Sequence, residues 1–223
     1  MSDVKINTRI KRQVELGLPF YTLSEEIVNS ITHGLGIIFA VISAILLIHA
    51  SPKDFGSLIC VCIYEGTTFL LYVISTLYHA LGLCKAKKVF RILDHCSIFL
   101  SIAGTYTPIC FFKMAKVGII LLCSIWVIAL LGIILNSINL KKHTKFSLVC
   151  YVVMGWAIMF TIKPLIESIT AFQLQLLIAG GMSYTIGILF YLFGKKKKYF
   201  HSLWHIFVLC GSIFHFFTIY NFL

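Results

Sequence analysis

The stretch Lys195-Lys-Lys-Lys-Tyr-Phe-His-Ser-Leu-Trp-His205 joins a run of four lysines to the start of the chain's last long apolar segment. No Lys, Arg, Asp or Glu follows as far as Leu223. At a helical rise of about 1.5 Å per residue, such a segment covers roughly 30 Å of hydrocarbon. His201 and His205 stand four apart, so a helix presents both imidazoles from one face. The stretch therefore reads as a membrane helix with a basic flank that fixes its orientation and a histidine pair suited to one metal ion.

The rest of the chain agrees with that reading. Its 223 residues are 59% hydrophobic and 12% charged, with a mean hydropathy of +0.95, which is too apolar for a soluble domain. Seven spans are expected, at about 26–50, 57–81, 91–112, 117–139, 146–166, 172–193 and 199–222. Pro108 in the third is expected to kink or end its helix. Residues 1–23 form a short basic segment in which Val4, Ile6, Ile10 and Val14 could share the apolar side of an interfacial helix, and 24–223 the membrane domain. Lys5, Arg9, Lys11 and Arg12 interrupt any apolar core near the start, so no cleavable signal peptide is expected. The eight cysteines form no CxxC pair and read as packing residues.

Orientation follows from the cations. Lys5, Arg9, Lys11, Arg12, Lys85, Lys87, Lys88, Arg91, Lys141, Lys142, Lys145 and Lys195–Lys198 fall on one side of the expected topology. Only Lys53, Lys113, Lys116 and Lys163 fall on the other. The richer side is cytoplasmic, which puts the N-terminus inside and the C-terminus outside. The same distribution, confined to short gaps between apolar segments, explains the net charge of +11 without a nucleic-acid partner.

With that topology, Glu26, Asn29 and His33 of the first span, Ser75 and His79 of the second, Asp94 of the third, and His201 and His205 of the last all lie near the cytoplasmic face. Ionisable groups within spans are costly and turn towards a cavity or a partner. His79, His201 and His205 supply three imidazoles for Zn²⁺ with a fourth position open, as in catalytic sites. Asp94 is placed to orient a water and take its proton, and Ser75, one turn before His79, to hydrogen-bond a ligand, the water or a substrate carbonyl. Glu26, Asn29 and His33 support the histidines or the helix packing. Glu65 reads as a packing hydrogen bond, and His49, His143 and His215 as headgroup-boundary residues or ordinary helix-to-helix hydrogen bonds. Asp94 could also pair with Arg91.

The ordered set Glu26-x-x-Asn29-x-x-x-His33, Ser75-x-x-x-His79, Leu93-Asp94, Ala103-Gly-Thr-Tyr-Thr-Pro108 and His201-x-x-x-His205 resembles the bacterial hemolysin III proteins. These are the prokaryotic branch of the progestin and adipoQ receptor family, related to alkaline ceramidase-type membrane hydrolases. The resemblance implies a seven-helix bundle with an intramembrane zinc held by His79, His201 and His205, and Asp94 on the zinc-bound water. It also implies a role in membrane lipid homeostasis. The expected function is zinc-dependent hydrolysis of a lipid amide or ester, with membrane lipids as partners. The alternatives are a non-enzymatic zinc-stabilised sensor, and a cytolytic or transport activity, against which stands the lack of a regular polar stripe along any span.

Overall fold

The computed structural model describes residues 2–194 and 197–223, the side chains of 2–7 and 115 excepted. All regular structure among them is helical: α1 (Ser2–Leu16), α2 (Leu23–Ala50), α3 (Phe55–Ala80), α4 (Lys85–Lys113), α5 (Ala115–Trp156), a 3₁₀ turn (Ala157–Thr161), α6 (Ile162–Ser168), α7 (Ala171–Phe193) and α8 (Phe200–Tyr220). Among the described residues, six helical stretches are long and apolar enough to cross a bilayer, the longest being Lys116–Ser168. Lys195 and Lys196, counted above among the cytoplasmic cations, lie outside the described residues, as do the side chains of Lys5, Val4 and Ile6.

Polarity is inverted relative to a soluble bundle. The buried face of α2 reads Glu26, Asn29, His33, Gly36, Ala40, Ser43 and Leu47, while Ile27, Ile31, Leu35, Ile38, Ile42 and Ile45 are exposed. A helix that hides its polar stripe and shows its isoleucines is built for a hydrocarbon surround. Small residues on the inner stripe let the helices approach closely: the space a Cβ on Gly36 would take is filled by the Tyr72 ring.

Each helix start has its own local cause. Thr22 and Glu25 form a reciprocal capping box at α2, Thr170 and Gln173 another at α7, and Asp54 accepts from the Ser57 amide at α3. Pro108 does not end α4, which continues to Lys113. The expected fourth and fifth spans are joined in α5, but Asn139 leaves helical geometry at φ −157°, ψ 86°. The chain folds back there. Ser147 donates to Asn136 at 2.7 Å, which eleven residues of straight helix, about 16 Å, could not allow. Trp126 meets Thr107 and Ser137 approaches Cys96 in the first arm, whereas Tyr151 meets the His95 carbonyl and Ile158 meets Tyr106 in the second. The two arms therefore run in opposite directions along α4.

Consecutive helices pack side by side from α2 to α5, α7 pairs with α8, and α8 closes against α2. Between the second arm of α5 and α7 there is little backbone contact, and that gap is where a cavity lies. The N-terminal helix α1 ends on the bundle: Leu16 and Leu18 pack on Tyr78, and Arg91 Nη1 donates to the Gly17 carbonyl at 2.6 Å. Its Ile10 and Val14 remain exposed, as an interfacial helix requires.

Candidate metal centre

The ends of α3, α2 and α8 meet at one end of the bundle because each carries its polar residues in its first or last turns. His79 is the penultimate residue of α3, and His201 and His205 lie in the first two turns of α8. All three are buried, and one ligand atom from each falls within 4.8 Å of the others. Ring centroids are 5.2 Å apart for His79 and His201, 5.1 Å for His79 and His205, and 4.6 Å for His201 and His205.

Hydrogen bonding fixes which nitrogens are free. His79 Nδ1 lies 2.7 Å from Glu26 Oε2, and since a carboxylate only accepts, Nδ1 carries the proton. His79 Nε2 is then a bare lone pair, buried with no hydrogen-bond partner. His205 Nδ1 donates to the Asn29 carbonyl at 3.1 Å, with Thr32 Oγ1 also at 3.1 Å. That leaves His205 Nε2 facing His201 Nε2 at 3.1 Å. Two proton-free nitrogens of separate helices thus converge with a third imidazole whose Nδ1 is unpartnered. Nitrogens sharing one zinc at about 2.0–2.1 Å sit about 3.4 Å apart, so this set fits the ion with small side-chain adjustments.

Glu26, Asn29 and His33 each make a contact of their own with the cluster or with α8. Glu26 holds His79, and Lys87 Nζ in turn lies 3.1 Å from Glu26 Oε1. Asn29 accepts from Ser202 Oγ at 2.6 Å, tying α2 to the turn between the two α8 histidines. His33 makes no hydrogen bond at either nitrogen; its ring stacks on His205 at 3.6 Å and meets Tyr72 edge-on. Tyr199, just before α8, adopts φ 63°, an unfavourable conformation for a residue with a side chain. Its amide donates to Glu25 Oε1 at 3.2 Å, so the strained turn is pinned to the start of α2.

Asp94 and Ser75 face the same cavity as His33, His201 and His205. Asp94 is not among the groups within 4.8 Å of one another, and Ser75 Oγ is buried beside the Asp94 carboxyl. No ion pair joins Asp94 to Arg91 among the described residues, whose guanidinium is turned to the Gly17 carbonyl; His95 Nδ1, at 3.9 Å, is the neighbour of Asp94. The cavity measures about 330 Å³ and runs away from the histidines between α4, α5, α7 and α8, walled mostly by aliphatic and aromatic side chains. Glu65 accepts from Ser43 at 2.8 Å, the helix-to-helix bond its position suggested.

Four contributors went unnoticed in the sequence. Ser202 sits inside the His201–His205 motif and could have been included from its position. Thr32 neighbours His33, but only the folded geometry shows it reaching α8. Lys87 counted only as a loop cation, yet it is 1% exposed. Tyr21, ahead of the first span, stacks on His201 at 5.0 Å.

A family profile described as "Haemolysin-III related" matches residues 21–216. The chain is 42% identical over 200 residues to "Hemolysin-3" of Bacillus cereus, covering 88% of this chain and 91% of that protein. It is 36% identical over 203 residues to the "Hemolysin-3 homolog" of Bacillus subtilis (strain 168), covering 89% and 94%. The human "Monocyte to macrophage differentiation factor" is 25% identical over 210 residues, covering 91% and 86%.

Proposed function

The chain belongs to the haemolysin-III related family of multi-pass membrane proteins, and from that premise we propose that it is a zinc-dependent hydrolase of a lipid amide or ester. The observation that carries the reading is the convergence of His79, His201 and His205, of which His201 and His205 line the polar end of an otherwise apolar cavity with Asp94 and Ser75 on the same wall. The three imidazoles would hold the ion. Bound there, zinc supplies a Lewis acid for a carbonyl and acidifies water to a pKa near about 7.

The chain's own residues do the rest. Glu26 keeps the proton of His79 on Nδ1, and the Asn29 carbonyl does the same for His205, so both Nε2 lone pairs stay available. The Asp94 carboxylate takes the proton from the attacking water and returns it to the leaving group. Ser75 Oγ–H, beside Asp94 on the cavity wall, donates to the substrate carbonyl. The apolar cavity takes the acyl chain and keeps bulk water from the reacting carbonyl.

The proposed topology has seven crossings, with the two arms of α5 counted separately, the N-terminus inside and the metal centre near the cytoplasmic face. The cation asymmetry and the reversal at Asn139 support it. The names of the Bacillus relatives bring lysis of cells as the rival activity, which an erythrocyte assay on purified protein addresses directly.

The deciding experiment is Asp94→Asn, measured for zinc content and for hydrolysis of a panel of lipid amides and esters. Zinc should stay near one per chain while turnover falls about 10²–10⁴-fold, the usual loss for a general base. Loss of the metal from this variant would make Asp94 a ligand and close the site to water. Unchanged cellular lipids in both the variant and a deletion strain would leave zinc a structural role only.

A further inference from the structure

The cavity has a second polar position, remote from the metal centre. His215 lies ten residues after His205 on α8, about 15 Å further along the helix axis. It was expected at the headgroup boundary or in an ordinary helix-to-helix hydrogen bond, and among the described residues it makes no hydrogen bond. Its ring is 7% exposed, lines the cavity, and has a fully buried Nδ1 with no partner. A buried imidazole left so is expensive, since burial strips its water without supplying a replacement hydrogen bond.

The ring is nevertheless held firmly. It stacks on Tyr184 at 5.4 Å and 24°, and it occupies the space beside Gly180, where a Cβ would come 2.7 Å from Nε2. Glycine at that point is what admits the imidazole between α7 and α8. Tyr184 also lines the cavity and belongs to a chain of hydroxyls. Tyr72 donates to Ser212 Oγ at 2.8 Å, and Ser212 Oγ pairs with the Tyr184 hydroxyl at 3.0 Å. Three hydroxyl protons serve two hydrogen bonds, so with Ser212 as donor of the second the Tyr184 proton has no acceptor among the described residues. His215 Nδ1 is closed off from the cavity, so Nε2 is the ring nitrogen that a ligand can meet, as donor or acceptor according to tautomer. Surplus donor and surplus acceptor thus stand together on the wall of an apolar cavity.

We propose that Tyr184 and His215 form a subsite for a neutral hydroxyl carried part-way along the chain of a lipid ligand. A hydroxyl both donates and accepts, so it can satisfy the imidazole and the tyrosine together. A carboxylate or phosphate at that depth would bring an uncompensated charge, because no Lys or Arg among the described residues lines this cavity. The inference rests on the lipid reading of the cavity given above and adds which lipid it prefers.

The test is a binding measurement on the purified, zinc-loaded protein, in which stearate and a mid-chain hydroxystearate compete with a fluorescent fatty acid. Neither probe has a scissile bond, so turnover does not enter. The hydroxylated probe should bind about tenfold tighter, as one or two hydrogen bonds in a dry site allow. That preference should vanish in Tyr184→Phe, which deletes one oxygen, and in His215→Phe, while stearate affinity holds. Melting temperature and zinc content identify a variant that has failed to fold, and Tyr184→Phe serves should His215→Phe be one. Equal affinity of the two probes for the unmodified protein, or a preference that survives in Tyr184→Phe, overturns the subsite and leaves the lipid hydrolase reading standing. Failure of both probes to bind removes the lipid reading and the subsite with it.

Discussion

Replacing Lys87 should expose how tightly the histidine cluster is wired to the fold. Its ammonium is buried and lies 2.7 Å from the Tyr78 carbonyl, 3.0 Å from the Leu81 carbonyl and 3.1 Å from Glu26 Oε1. It therefore satisfies the last carbonyls of α3 and neutralises the carboxylate that orients His79. Lys87→Met keeps the bulk of the side chain but strands a buried carboxylate. Removing one partner of a buried ion pair costs about 3–5 kcal/mol. Glu26→Gln, which strands the ammonium instead, should cost a similar amount. The double variant leaves no uncompensated charge, so it should be more stable than the sum of the two losses predicts, by about 1–3 kcal/mol. Reversible unfolding in mixed micelles with a chelator present measures all three without the stability that bound metal adds. Single losses below about 1 kcal/mol, or strict additivity, would show that Lys87 is a loop cation and refute the linkage to Glu26.

Purified protein should carry about one zinc per chain, lost with a lower melting temperature in His201→Ala or His205→Ala, because two nitrogens make a weak site; metal analysis showing full occupancy in the double variant would reject the assignment. A reporter fused after Leu223 should be exposed outside and one fused after Lys145 should be cytoplasmic; a C-terminus found inside would break the charge argument. At the opposite end of the bundle, the Ser57 hydroxyl and amide hold the Asp54 carboxyl below the usual carboxylate range. A depressed folded-state value stabilises above the unfolded value and is lost as pH falls through the folded one. Unfolding midpoints followed from pH 6 downward should therefore fall less steeply in Asp54→Asn than in the unmodified protein, and identical slopes would contradict the cap.

The histidine cluster was legible in the sequence because a membrane makes polar residues informative. Glu26, Asn29 and His33 repeat every three to four positions in a helix whose remaining faces are isoleucine and leucine, so their direction was fixed before any neighbour was known. Charge at the span ends gave their depth, and depth brought His79 to His201 and His205. The same reasoning failed where charge had two uses. Lys87 lies in a basic gap, where lysine signals topology, and nothing local distinguishes a cation that faces headgroups from one drawn inward by Glu26, 61 positions earlier. The contact of Tyr21 with His201 depends on α1 ending against Tyr78, which no periodicity encodes. The turn after the fourth span was placed correctly at Asn139, but a loop was expected there; helix resumes at once because the Asn139 side chain accepts from the Lys142 amide at 3.0 Å. His215 shows the limit most clearly. Hydrophobic pattern and depth place an imidazole in the bundle but cannot say whether it has a partner, and it is the missing partner that turns a packing residue into a candidate for binding.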